Sequence, residues 1–191
     1  MIKEINQKDI LSIMRKFKSL SYLLTPDVMF EKFDDITPEF LLSRGITALL
    51  IDIDNTLAPY EQPLPDERIK NYFKSLADNK IKAALVSNNN LERVELFNSE
   101  LGLIAFADCG KPNSKMLLTA MKKMGSTPEN TAAIGDQLLT DALGAHRLGM
   151  PAFIVPPIKD KTTTFYKIKR FIEKPYIRAY KRKLKKAKKQ V

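Results

Sequence analysis

Apolar positions along the chain fall into two kinds of segment that alternate. Five runs, Thr47–Ile51, Lys82–Val86, Leu103–Ala107, Thr131–Ile134 and Ala152–Val155, are short and almost wholly apolar. They have the look of parallel strands buried on both faces. Between them, apolar residues recur at helical spacing: Ile69, Tyr72, Phe73 and Leu76; Leu91, Val94, Phe97 and Leu101; Leu117, Leu118, Met121 and Met124; Leu138, Leu139, Ala142 and Leu148. Gly102, Gly125 and Gly149 stand where three of these helices should stop. Pro59, Pro63 and Pro65 hold the chain out of helix until Asp66, and Thr37-Pro38 caps a short helix that ends by Gly45. Strand and helix in strict alternation predict an α/β fold. The expected architecture is a Rossmann-like parallel sheet of about five strands with helices on both faces.

The 191 residues are enough for one full core with terminal additions. No apolar run approaches the ~20 residues needed to span a bilayer, and no N-terminal stretch has the layout of a secretory signal. Cys109 and His146 are each the only residue of their type. That removes disulfide frameworks, cysteine-based zinc sites and any mechanism needing paired histidines. A reducing cytoplasm is the expected compartment. The net charge of +10 is unevenly placed: residues 167–191 hold twelve Lys or Arg and one acid, Glu173, so the rest of the chain is close to neutral. The expected division is an N-terminal helical segment (1–46) packed on or beside the core, a catalytic domain (47–158) and a basic tail (159–191). Within the first segment, Ile10, Ile13, Met14, Phe17, Leu20 and Leu24 follow helical spacing among Lys8, Arg15, Lys16 and Lys18. A helix packed on the domain is expected, and an interfacial helix is the alternative.

Ligands in open α/β sheets bind outside the carboxyl ends of the strands. Here those ends carry Asp52 and Asp54, then Ser87, then Lys111, then Asp136. Each alone reads as a turn residue, a cap or a solvated charge. Together at successive strand ends they suit phosphoryl transfer. A hard divalent cation such as Mg²⁺, held by carboxylates, neutralises a phosphate ester. Lysine and hydroxyl hold the other phosphoryl oxygens. An aspartate nucleophile splits the displacement into two steps, and a second carboxylate two residues on protonates the leaving oxygen and then activates water.

Asp52-Ile53-Asp54-Asn55-Thr56, Ser87, Lys111-Pro112 and Gly135-Asp136-Gln137-Leu138-Leu139-Thr140-Asp141 resemble the four ordered motifs of the haloacid dehalogenase (HAD) superfamily. More narrowly, they are similar to the YqeG-type phosphatases of subclass IIIA, which in turn resemble mitochondrial phosphatidylglycerophosphate phosphatases. The resemblance spans residues 47 to about 156. It implies Asp52 as nucleophile and metal ligand, Asp54 as general acid/base with its carbonyl on Mg²⁺, Ser87 and Lys111 as phosphate-binding, and Asp136 as a further ligand. The acid at Asp54 favours phosphatase over dehalogenase. If helical, Asp141 lies ~500° of rotation beyond Asp136, so the two should not share a face. Asp141 then reaches the metal through water, or orients Lys111. Lys115 competes with Lys111, which sits at the strand end before proline. Asn88 and Asn89 are candidates for contacting the leaving group. Cys109 and His146 are expected to pack, with no catalytic part.

About thirty residues separate Thr56 from Ser87, and a helix and a strand nearly use them up. The enzyme therefore looks capless and open, suited to a phosphomonoester carried on something bulky such as a phosphorylated lipid. Phe165, Ile168 and Ile172 continue a helical face until Pro175. Beyond it Ile177, Tyr180 and Leu184 form the apolar side of a basic amphipathic helix. That pattern predicts peripheral attachment to an anionic membrane through residues 167–191. Two alternatives are RNA or a ribosome-associated substrate as the partner, and a catalytically idle protein that only binds RNA or membrane.

Overall fold

A computed structural model describes residues 20–159 and 164–187. Its six strands are β1 (Val28–Met29), β2 (Ala48–Ile51), β3 (Lys82–Val86), β4 (Ile104–Phe106), β5 (Thr131–Gly135) and β6 (Ala152–Ile154). They form one parallel sheet in the order β1-β6-β5-β2-β3-β4. The helices are α1 (Leu20–Leu23), α2 (Pro38–Leu42), α3 (Glu67–Asp78), α4 (Leu91–Asn98), α5 (Lys115–Met124), α6 (Leu143–Leu148) and α7 (Thr164–Ala187). Residues 8–19 of the expected N-terminal helix lie outside the described residues, and α1 covers only Leu20–Leu23 of that stretch.

Alternation along β2 sends Leu49 and Ile51 into one half of the core and Ala48 and Leu50 into the other. The two halves differ in grain. Against α3 and α4 the sheet presents Leu49, Ile51, Leu85, Ile134 and Phe153, which meet Tyr72, Phe73 and Phe97. Against α5 and α6 it presents Ala48, Ala84, Ala133 and Ala152, opposite Ala120 and Ala145, so those helices can approach closely. Caps start the helices where the sequence places them: the side chains of Thr37, Asp66 and Asn90 accept from Phe40, Ile69 and Arg93 N–H at 3.2, 2.9 and 3.0 Å.

The topology fixes where a site can form. From β2 the chain moves to β3 on one side, and later strands return on the other as β5. The crevice beside β2 is therefore a topological switch point. Ile51 lies level with Leu85 and Ile134, so the next residues, Asp52, Val86 and Gly135, emerge together.

Three differences from the sequence expectation stand out. The sixth strand, Val28–Met29, is too short to show a period, and pairing with Phe153 and Ile154 creates it. Helix α7 runs unbroken through Pro175. Proline costs a helix its i−4 hydrogen bond, but contacts on both sides hold this one: Leu139 N–H donates to Glu173 Oε1 at 3.0 Å, and Met29 N–H donates to the Tyr180 hydroxyl at 3.1 Å. The distal apolar side expected to face lipid is also corrected. Tyr180 bonds the sheet edge, and Ile177 packs against the core. Of the expected distal side only Leu184 is exposed (45 %); the other exposed apolar side chains described on α7 are proximal: Phe171 (75 %), Ile168 (53 %) and Ile172 (43 %).

Candidate active site

Asp52 prolongs the ladder by one bond, its N–H donating to Ile134 C=O at 2.9 Å. Its side chain is buried. Oδ1 accepts from Lys111 Nζ at 2.7 Å and Oδ2 from Thr56 Oγ1 at 3.1 Å. The return loop turns on Asn55 in the left-handed region (φ 66°), a conformation that asparagine tolerates better than most residues. Two residues past Asp52, the buried carboxylate of Asp54 accepts from Asn89 Nδ2 at 3.0 Å and Arg93 Nε at 3.3 Å. Arg93 sits in the first turn of α4. It also donates to Pro63 C=O at 3.1 Å, so one guanidinium orients the acid and ties down the proline loop.

Lys111 is delivered by backbone rather than by a helix. Gly110 takes φ 61°, the Lys111–Pro112 peptide is cis, and Asn88 accepts from Lys111 N–H at 2.7 Å while donating to its C=O at 3.0 Å. Asn88 thus holds Lys111 in place, while Lys115 is exposed at the start of α5. Lys111 Nζ bridges Asp52 and Asp141, at 2.7 Å to each. Burial disfavours its charge, but Asp141 and Asp52 outweigh that and hold the ammonium above the ordinary lysine range. Ser87 is buried, and its Oγ accepts from Asn89 N–H at 3.0 Å.

Asp136 and Asp141 do come together, contrary to the helical-wheel expectation. Asp136 precedes the helical turn, because Gln137 is still extended (φ −118°, ψ 128°) and the π turn Leu138–Ala142 brings Asp141 back over the strand end. Gln137 N–H then donates to Asp141 Oδ2 at 3.1 Å. Carboxylate oxygens of Asp52, Asp136 and Asp141 lie within 4.8 Å of one another. Burial, with neighbouring carboxylates adding to it, pushes Asp52 up to about 7 and Asp136 up to about 6, despite Lys111 and Arg170. A buried, oxygen-only donor set of this kind fits a hard divalent cation.

Gly135 makes this convergence possible. A Cβ there would lie 2.2–2.4 Å from the Asp141 side chain. Gly135→Ala is expected to lower stability by about 1–3 kcal/mol through overpacking and to displace Asp141 from Lys111. Thermal melts and phosphate release measured on the same preparation check both effects.

The proximal half of α7 forms one wall. Arg170 pairs with Asp136 Oδ2, donates to its C=O at 2.7 Å and to Glu173 Oε2 at 2.8 Å. Tyr166 O–H donates to Asp136 Oδ2 at 3.2 Å, and burial first, then Asp136, push this phenol up to about 12. Glu173 is fully buried, and burial holds its carboxyl above the usual range. Asp52, Asp54, Ser87, Asn88, Asn89 and Lys111 line a cleft of about 250 Å³, completed by Tyr60, Gln137, Thr140, Tyr166 and Lys169. The site is therefore less open than the lack of a cap domain among the described residues suggests. Cys109 is buried with its thiol pushed up to about 11 by burial, and buried His146 bonds Leu23 and Asp27 outside the cleft.

Comparison with known proteins identifies the family. Residues 108–163 match the HAD-hydrolase-like family model. The chain is 34% identical over 164 residues to the probable phosphatase YqeG of Bacillus subtilis strain 168, covering 86% of this chain and 95% of that one. The chain belongs to the YqeG-type phosphatases of the HAD superfamily. Solved structures with a similar fold include a HAD phosphatase from Thermococcus onnurineus (TM-score 0.47, 17% identity, 62% of this chain and 90% of that one). Another is an uncharacterised protein from Listeria monocytogenes serotype 4b (TM-score 0.49, 15% identity, 62% and 85%).

As a YqeG-type phosphatase, the chain brings every sequence-predicted site residue to one place. The sequence reading missed Arg93, Tyr166, Lys169 and Arg170. The last three had a signal: Tyr166, Lys169 and Arg170 fall on one helical face with Glu173, and Glu173 is the single acid among residues 167–191.

Proposed function

We propose that the chain is a Mg²⁺-dependent phosphomonoester hydrolase that forms an aspartyl-phosphate on Asp52 and acts on a lipid phosphomonoester at an anionic membrane surface, phosphatidylglycerophosphate being the foremost candidate. The observation that carries the chemistry is the shared floor on which Asp52, Asp54 and Lys111 meet, with Asp136 and Asp141 beside it. Bound Mg²⁺, held by Asp52, Asp136 and the Asp54 carbonyl, with Asp141 direct or through water, would neutralise the phosphoryl charge. Asp52 attacks phosphorus while Asp54 donates its proton to the departing alkoxide. Asp54 then takes a proton from the water that attacks the phosphoryl group, freeing Asp52 and inorganic phosphate. Asn89 and Arg93 keep the Asp54 carboxyl aimed into the cleft.

The lipid reading is supported by the same helix that walls the cleft. Lys169 lines the cleft, while Ile168, Phe171 and Ile172 are exposed on α7, with Lys167 and Lys174 beside them in sequence. Apolar side chains flanked by lysines suit the headgroup boundary of an anionic bilayer. Among the described residues, no helix is long and apolar enough to cross a membrane. Phosphate release from phosphatidylglycerophosphate in mixed micelles, with and without Mg²⁺, tests the activity; no release under either condition refutes it. Replacing Ile168, Phe171 and Ile172 by serine should weaken sedimentation with anionic vesicles at least about tenfold. Undiminished vesicle binding, or tight RNA binding with no lipid binding, contradicts the membrane reading.

A further inference from the structure

The cleft contains a cation that the hydrolytic steps above do not use. Lys111 is committed at the floor, between Asp52 and Asp141. Lys169 is a half-buried part of the cleft lining, with Nζ donating to Gln137 Oε1 at 3.3 Å. Its helix is not a loose tail there. Tyr166 and Arg170 bind Asp136 on either side of Lys169 in sequence, and Glu173 accepts from Leu139 N–H one turn on. A lysine carried on so well-anchored a turn presents its charge at a set place, with less ordering left to do on binding.

The phosphoryl group belongs at the floor and the leaving oxygen at Asp54, so the alcohol must run outward past the mouth. Of the side chains that line the cleft, Lys169 is the cation besides Lys111, so among the described lining residues it is the group suited to answer negative charge on the alcohol. A neutral alcohol would gain little from an ammonium at this point. A second negative charge on it would gain a charge-assisted hydrogen bond.

We propose that Lys169 is a specificity-determining residue that binds an anionic group, a phosphodiester or a carboxylate, on the alcohol portion of the substrate. The proposal rests on the phosphomonoesterase reading of the cleft and adds the charge of the leaving group. It also gives the proximal half of α7 a part in substrate choice, distinct from any part in membrane attachment.

Matched soluble substrates test it on the full chain. Glycerol 3-phosphate and 3-phosphoglycerate share a carbon skeleton and differ in one carboxylate, and a glycerol 3-phosphate whose far hydroxyl carries a phosphodiester supplies the other anion. The wild-type protein should favour each anionic substrate over glycerol 3-phosphate by about tenfold in kcat/KM, mainly through KM. Lys169→Ala should abolish the preference, Lys169→Glu should invert it and Lys169→Arg should keep it. Loss with one anion alone identifies which of the two the site reads. A wild-type preference that survives Lys169→Glu, or no wild-type preference, overturns the proposal and leaves the phosphatase reading standing. Failure to hydrolyse any phosphomonoester overturns both.

Discussion

Asp52→Asn should lower phosphate release by a factor on the order of 10⁴ or more while leaving the metal-free protein at least as stable as the wild type. The catalytic half follows from chemistry, since an amide oxygen cannot form the aspartyl-phosphate. The stability half follows from the setting. Asp52 is buried against Asp136 and Asp141, and the fold raises its carboxyl to about 7 even with Lys111 beside it. The folded protein therefore holds a proton that the unfolded chain releases near 4. Stability is lost as pH rises from about 4 to about 7, and the full cost is present above that. Asparagine lacks this cost. Parallel phosphate assays and urea melts at pH 8 without divalent cation check both halves. Retained turnover would remove Asp52 from the mechanism.

Lys111→Met should be the most destabilising single change in the site, by about 3–5 kcal/mol, because it leaves buried carboxylates without their cation. Two of the three acids, Asp52 and Asp141, each receive a hydrogen bond of 2.7 Å from this one ammonium. Adding Asp141→Asn to Lys111→Met should recover part of the loss, since neutralising one carboxylate removes part of what Lys111 offset. Divalent cation should stabilise Lys111→Met as well, through the same acids. Catalysis should also fall, because a phosphoryl oxygen loses its lysine partner. Urea denaturation of the wild type and the three variants forms a double-mutant cycle, and full additivity would mean that Lys111 and Asp141 are not coupled.

The parts of this site readable from sequence are those set by short-range backbone rules. Asp52, Asp54, Ser87 and Asp136 follow strands whose apolar runs are visible, and a parallel register brings those ends level. Lys111 was chosen over Lys115 because it precedes Pro112, and the Asn88 clamp on its backbone explains why that position carries the chemistry. A helical wheel separates Asp141 from Asp136 because it assumes that the helix starts at Asp136, which is not helical. Gln137 is extended, and the first turn after it is a π turn. The strand Val28–Met29 depends wholly on its neighbour β6. The tail shows the largest gap. Its charge excess reads as a solvated basic helix; the shared helical face of Tyr166, Arg170 and Glu173 is visible in the sequence, but its long-range partners Asp136 and Leu139 are not.

A phosphoryl group carried on Asp52 can be trapped directly. An aryl phosphate labelled with ³²P departs without needing a general acid, whereas hydrolysis of the aspartyl-phosphate needs Asp54 to activate water. Asp54→Asn treated with this substrate and divalent cation, then quenched in acid, should therefore carry label on the protein. The label should approach one phosphoryl group per chain, reside on the peptide containing Asp52, and be absent when Asp52→Asn is added. Substrate consumed with no label on the protein, or label that persists in the double variant, would contradict the account.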